Sequence, residues 1–228
     1  MQKRIRIAID GPAASGKSTT ARLLSKKLGY LYIDTGAMYR AATLAVLRAG
    51  VDVYDEQAVE RCVRENKITL RIVDGEQRTY LNNEDVSNLI RTPEINRVIS
   101  IISSYPGVRK TLIEQQRILA AQGGVVMDGR DIGTVVLPDA ELKVFLIAGL
   151  EERARRRQKD LARQGIEMSL EAIKEEIALR DKLDSERALG PLRRAEDARV
   201  LDTTHLTIEQ QVDIIYRWAL EILQEKNK

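Results

Sequence analysis

Residues 11–18 read Gly-Pro-Ala-Ala-Ser-Gly-Lys-Ser, a G-x-x-x-x-G-K-S loop whose flanks restrict the fold more than any other part of the chain. An alternating apolar run through Ile5, Ile7, Ala8 and Ile9 leads in and predicts a short buried strand. A helical pattern from Ser18 to Leu28 leads out. Strand, glycine loop and helix in that order give the motif its meaning. Gly11 and Gly16 permit backbone angles that other residues resist, so successive N–H groups can point into one cup. The cup lies at a helix N-terminus, where unpaired N–H groups and the helix dipole favour an anion. Lys17 can reach terminal phosphates, and the Ser18 hydroxyl can ligate Mg²⁺. A glycine turn that only joined a strand to a helix would have no use for the Lys-Ser pair.

Downstream the pattern alternates. Strand-like runs fall at 5–9, 31–33, 124–127, 142–147 and 199–201, with helix-like runs at 17–28, 36–48, 106–121, 150–163 and 207–225. This predicts an α/β fold, a five-stranded parallel sheet flanked by helices. Ligands of such sheets bind beyond the carboxyl ends of the strands. Asp10 and Gly11, Asp34 and Thr35, and Asp128 to Asp131 all stand there. Two segments depart from the alternation within a single domain spanning 1–228. In the first, about 50–105, Ile68 to Val73, Asp74-Gly75 and Thr79 to Leu81 predict a β-hairpin. A helix from about Pro93 to Ser103 follows, so this segment reads as an inserted hairpin and helix subdomain. The second, about 151–190, is helical and rich in arginine, and is expected to act as a lid.

Composition removes several classes. The 228 residues are 43% hydrophobic and 31% charged, with a net charge of +3 and interleaved signs. A nucleic-acid surface would show a basic stripe instead. No apolar run approaches the roughly 18 residues that cross a bilayer. The basic N-terminus runs into a strand pattern rather than a leader peptide. The single cysteine, Cys62, forms no internal disulfide and suits a reducing cytoplasm. The single histidine, His205, rules out a multi-histidine metal site and reads as an ordinary loop residue.

A phosphate loop implies a nucleoside triphosphate but not what accepts the phosphoryl group. Transfer spreads charge over the phosphoryl oxygens, which Mg²⁺, a lysine and arginines can meet. A second phosphorylated substrate needs its own cationic grip, and arginine forks fit phosphate better than lysine does. Arg40 follows the second strand and Arg130 the third, the latter with Asp131 between Gly129 and Gly133. Arg180, Asp184 and Arg187 are spaced to share one helix face, as are Arg153 and Arg157. Taken alone, the 180–187 set reads better as surface ion pairs, Arg155 and Arg156 could equally be a solvated face, and Asp128 could be a turn cap.

The chain resembles the bacterial cytidylate kinase family nearly end to end. The likeness rests on Ile9-Asp10-Gly11-Pro12, Asp34-Thr35-Gly36-Ala37-Met38-Tyr39-Arg40 and Asp128-Gly129-Arg130-Asp131-Ile132-Gly133-Thr134-Val135-Val136. Arg180-Asp181 with Asp184 and Arg187, and Leu201-Asp202-Thr203-Thr204, extend it. The resemblance implies phosphoryl transfer from ATP, with Mg²⁺, to CMP or dCMP. Gly11, Pro12, Ala13, Ala14, Ser15, Gly16, Lys17, Ser18 and Thr19 would hold the ATP phosphates, with Arg153 and Arg157 on the donor side and Ser18 on the metal. Thr35 and Arg40 would serve the acceptor, Arg40 on its phosphate, and Arg130 would also grip phosphate. Ser100, Arg109 and Asp131 would read the cytosine edge. That suits its chemistry, because the exocyclic amino group donates and N3 and O2 accept. Arg180 and Asp184 would contact the ribose and Arg187 the phosphates near transfer, leaving Lys17, Arg130 and Arg187 as the catalytic charges. The family often has serine where this chain has Thr35; the hydroxyl is kept.

Composition and charge lead us to expect a cytoplasmic protein with neither nucleic acid nor membrane as partner, and a monomer acting on the small molecules ATP and CMP or dCMP is expected. The acceptor is already an anionic oxygen, so positioning and charge stabilisation suffice. Two other readings are a kinase of the same fold acting on UMP, AMP or shikimate, and a GTP-driven switch. The switch needs Asn-Lys-x-Asp, and Asn66-Lys67-Ile68-Thr69 lacks the aspartate.

Overall fold

The computed structural model describes residues 4–163 and 165–226. The extreme ends of the expected domain and position 164 of the expected lid lie outside them. By internal contacts the chain divides into two units, Met1–Tyr32 with Gln122–Lys228, and Ile33–Ala121.

The first unit is built on the parallel sheet. Strand β1 (Arg6–Asp10) is central, and the strand order is β2-β6-β1-β7-β8. Here β2 is Leu31–Asp34, whose last two residues open the second unit, β6 is Val125–Gly129, β7 is Leu142–Ile147 and β8 is Arg199–Asp202. β1 pairs in parallel with β6 and β7, and β7 with β8. Buried on both faces, β1 and β6 read as near-continuous apolar runs, as central parallel strands do. Helix α1 (Lys17–Leu28) starts directly after the loop, and Tyr30 N–H and Gly29 N–H close its last turn on Ser25 O and Lys26 O. With α8 (Ile208–Lys226) it covers the sheet through Leu24, Val212 and Ile215 against Ile7, Ile9, Val144 and Leu146.

The arginine-rich segment forms two helices, α6 (Leu150–Ala162) and α7 (Leu170–Glu186). The sequence reads it as one helical stretch. The break comes at Gly165, with φ of 74°, and α7 restarts on the Ser169 hydroxyl, which accepts from Ala172 N–H at 3.2 Å. Ala154, Leu161, Ile173 and Ile177 form a small core between α6 and α7, and Ala14 of the loop packs on it.

The second unit holds α2 (Thr35–Arg48), α3 (Glu56–Glu65), α4 (Pro93–Ile102) and α5 (Pro106–Ala120), with a three-stranded sheet. β3 (Ile68–Val73) and β4 (Glu76–Leu81) form the predicted hairpin, with Asp74 and Gly75 both at positive φ. The third strand, β5 (Glu84–Asp85), and helix α3 were not predicted. Asn82 and Asn83, both at positive φ, make the second turn, and that Asn-Asn pair is the signal that reveals it.

Candidate active site

The strand order reverses at β1, between β6 and β7, and the phosphate loop leaves β1 at this switch point. Gly11 is required because a Cβ there would collide with the Leu146 carbonyl of β7. Gly16 stands at φ of 91° where α1 begins. Ala14 also holds positive φ, 57°, a conformation costly for alanine and stabilised by its packing on the α6–α7 core.

Lys17 is buried, and its ammonium donates to Pro12 O at 3.1 Å. Burial, with the Arg130 charge beside it, lowers its pKa to about 7. The Ser18 hydroxyl donates to Asp128 Oδ2 at 2.6 Å, and Tyr32 Oη donates to Asp128 Oδ1 at 2.8 Å. Asp128 is therefore more than a turn cap. Hydroxyl and carboxylate oxygens at the head of a phosphate loop are the hard donors Mg²⁺ takes when phosphates and water complete its shell.

Asp10, at the end of β1, is fully committed. Its carboxylate accepts from Ile132 N–H at 2.8 Å and Gly133 N–H at 2.7 Å. Burial nevertheless raises its pKa to about 7. The turn it holds is π-helical over Ile132–Val136, and it directly follows Arg130 and Asp131. Those two residues pair crosswise with α7: Arg130 Nε donates to Asp184 at 2.7 Å, and Arg187 Nη2 donates to Asp131 at 3.2 Å. Burial would raise the Asp184 carboxyl, but Arg130, Arg180 and Arg187 hold it below the usual carboxylate range. Of the set predicted on one helix face, Arg180 and Asp184 lie on α7 and Arg187 just past its end in extended backbone, yet Asp184 and Asp131 are buried, which surface ion pairing would not require.

The donor-side arginines differ. Arg153 is buried and donates to Ala13 O at 3.1 Å, Ala148 O at 3.0 Å and the Asp181 carboxylate. Asp181 also accepts from Ala13 N–H at 3.2 Å. Arg157 is half-buried, with no hydrogen bond or ion pair among the described residues. Arg155 is solvated and pairs with Glu151, as a surface arginine would. Arg156 is not on a solvated face. It donates to Ser15 O at 3.3 Å and to Thr203 Oγ1 and O at 3.1 and 2.6 Å, which fixes the loop against the segment after β8.

In the second unit, Asp34 caps α2 by accepting from Ala37 N–H at 2.8 Å, which places Thr35 in the first turn. A Cβ on Gly36 would lie 3.1 Å from Arg40 Nη2 and 3.2 Å from Asp34 Oδ1, so Arg40 folds back over this glycine. Arg91 Nη2 also reaches Asp34, at 3.1 Å. Arg109 is buried on α5 and its Nη1 lies 3.5 Å from Tyr39 Oη, while Ser100 sits half-buried on α4.

Comparison with known proteins fits this arrangement. The cytidylate kinase family model matches residues 7–221. The chain belongs to the cytidylate kinase family. A cytidylate kinase of Geobacillus sp. (strain WCH70) is 50% identical over 226 residues, covering 99% of each chain. One from Bacillus thuringiensis (strain Al Hakam) is 53% identical over 215 residues, covering 94% of this chain and 96% of its own. Among solved structures, an uncharacterized protein from Eubacterium ventriosum ATCC 27560 superposes with a TM-score of 0.50 at 14% identity, over 96% of this chain and 99% of its own. That likeness concerns the fold alone.

Sequence reasoning gave no part in the site to Tyr32 or Arg91, noted Asp10 only as a strand-end carboxylate and Asp181 and Thr203 only within the strings of the family likeness, and allowed Arg156 a solvated face. Each acts by touching a backbone or a side chain far along the chain, as Arg156 and Thr203 touch Ser15.

Proposed function

We propose that this chain carries out the family's reaction as an ATP:(d)CMP phosphotransferase. It moves the terminal phosphoryl group of ATP to the phosphate of CMP or dCMP, giving CDP or dCDP and ADP. The observation that carries the residue assignment is the crossed pairing of Arg130 with Asp184 and Arg187 with Asp131, near the Lys17 ammonium. Both chemical classes a nucleotide acceptor needs are held together there, half-buried guanidinium for phosphate and buried carboxylate for the cytosine amino group and ribose.

In this reading the amides of residues 11–19 and Lys17 take the ATP phosphates, and Arg157 adds charge on the donor side. Arg153 serves the donor through the Ala13 backbone it holds. Ser18, with Asp128 behind it, holds Mg²⁺, which supplies charge neutralisation on the phosphoryl oxygens. Thr35, Arg40, Ser100 and Arg109 act on the acceptor, with Arg40 on its phosphate and Ser100 and Arg109 on the base. Arg130 and Asp131 leave their protein partners for the acceptor phosphate and the cytosine amino group. Arg180 and Asp184 take the ribose, and Arg187 stabilises charge near transfer. No general base is required. The enzyme is read as a cytoplasmic monomer using free nucleotides, with α6 and α7 excluding water from the donor phosphates as a lid.

The test is ADP formation from ATP and Mg²⁺ with CMP, dCMP, UMP, AMP and GMP offered separately. CMP and dCMP should turn over fast, UMP slowly and the purines not at all. UMP turnover equal to that of CMP would remove the base assignment to Arg109 and Asp131. In Arg130→Ala, folded by circular dichroism, CMP-dependent kcat/KM should fall by more than about tenfold, the usual minimum for a lost catalytic charge.

A further inference from the structure

Asp10 is absorbed by none of the roles above, yet it is among the most constrained side chains of the first unit. It is 4% exposed, and both carboxylate oxygens are taken by successive backbone N–H groups, Ile132 at 2.8 Å and Gly133 at 2.7 Å. Such charge-assisted bonds to backbone are short and strongly directional. A buried ionised carboxylate is costly unless its hydrogen bonds fix something that needs fixing. Here they fix the start of the π-helical turn Ile132–Val136, whose Asp131 precedes it at φ of −141° and ψ of 29°. The turn closes on itself, with Val136 N–H donating to Asp131 O at 3.2 Å and Leu137 N–H to Ile132 O at 2.7 Å. The pairing of β6 with β1 ends at Gly129 opposite Asp10, and the Asp10 carboxylate carries that tie on into the turn through the Ile132 and Gly133 amides. Gly133 is part of the same fit. A Cβ there would lie 3.2 Å from Lys143 Cδ, tighter than most Cβ contacts, and would touch Asp10 Oδ2 at 3.4 Å.

We propose that Asp10 is a positioning residue for the phosphoryl acceptor. By gripping the Ile132 and Gly133 amides it fixes the backbone that presents Arg130 and Asp131, and so sets acceptor binding from the end of the strand that launches the donor loop. The inference rests on the acceptor roles given to Arg130 and Asp131 above. Asp10 itself touches no substrate. It acts through two peptide groups, and its loss is felt at the acceptor more than at the donor.

The experiment compares Asp10→Asn, Gly133→Ala and Arg130→Ala with the parent. It measures KM for CMP and for ATP separately, and amide exchange at Ile132 and Gly133 by NMR. An asparagine offers one acceptor oxygen and turns an N–H₂ group toward the other amide, so it removes half of the grip while keeping shape. In Asp10→Asn the CMP KM is expected to rise about tenfold or more with the ATP KM within about threefold. Exchange at Ile132 and Gly133 should accelerate. Gly133→Ala disturbs the same contact from the other side and should copy the CMP defect, which keeps the test alive if Asp10→Asn does not fold. A rise confined to the ATP KM would mean that Asp10 works through Lys17, and would overturn the proposal. So would faster amide exchange with an unchanged CMP KM. If Asp10→Asn is silent while Arg130→Ala impairs CMP use, the positioning role fails and the acceptor site stands. If Arg130→Ala also leaves CMP kinetics intact, the acceptor reading itself fails.

Discussion

Lys17 lies among charges of both signs, Arg130 and Arg180 against Asp128 and Asp184. Burial lowers its pKa from the ordinary lysine range to about 7 while its ammonium leans on Pro12 O. A bound triphosphate places anionic oxygens against the same ammonium and favours the charged form, so its pKa rises on binding. A group whose pKa rises on binding takes up protons, and affinity falls as pH rises through the free-state pKa. At pH 8, above the range in which nucleotide phosphates titrate, ATP binding should therefore absorb about one proton. Calorimetry in two buffers of different ionisation enthalpy measures this. The uptake should vanish in Lys17→Met, and uptake that survived that change would assign the proton elsewhere.

At the scale of elements, helix α7 is tied to the phosphate loop through one carboxylate. Asp181 accepts from Ala13 N–H and from Arg153, and Arg153 donates in turn to Ala13 O. Ala14 packs on the Ile173 and Ile177 face of the same helix pair. Asp181→Ala leaves Arg153 and an amide short of a partner, a loss of about 1–3 kcal/mol for a partly buried charged hydrogen bond. Amide exchange over Leu170–Glu186 should accelerate and the ATP KM should rise. Unchanged exchange there would show that the hydrophobic cluster alone holds α7 in place. The linear pattern of arginines could not reveal this division of labour. Arg153, Arg156 and Arg157 lie within five residues, yet Arg153 and Arg156 bind loop carbonyls and Arg157 makes no hydrogen bond or ion pair among the described residues. Which neighbour does which depends on the rotation of α6 against the loop, a tertiary quantity.

The first unit as a whole depends on two helices closing the sheet. Ile215 of α8 is fully buried with Leu24 of α1 against Ile7 and Ile9. Ile215→Ala should cost about 2–5 kcal/mol in urea unfolding, the range for a large-to-small change that leaves a cavity. Both KM values should stay near parental in the surviving folded fraction. Leu179→Ala, at a residue 61% exposed, should shift stability by no more than about 0.5 kcal/mol.

Much of this protein is legible in its sequence, for a physical reason. Local chemistry writes itself in short strings: glycines where a loop must admit phosphate, alternation in the β3–β4 hairpin, apolar runs in strands buried on both faces. The sheet, the phosphate loop and Ser18 with Lys17 follow from such strings, whereas the pairing of Arg130 with Asp184 and of Arg187 with Asp131 does not. The short strand β5 and the break between α6 and α7 were harder to see. Each is set by one or two residues, Asn82 and Asn83 or Gly165, whose turns carry no periodicity. What only the tertiary structure decided is which polar groups meet at long sequence separation. Asp10 with the amides of Ile132 and Gly133, Tyr32 with Asp128, and Arg156 with Ser15 are contacts between strand ends and loops far apart in the chain. A sequence shows a carboxylate at the end of a strand, but the low-dielectric enclosure that makes its hydrogen bonds decisive exists only once the strands have closed around it.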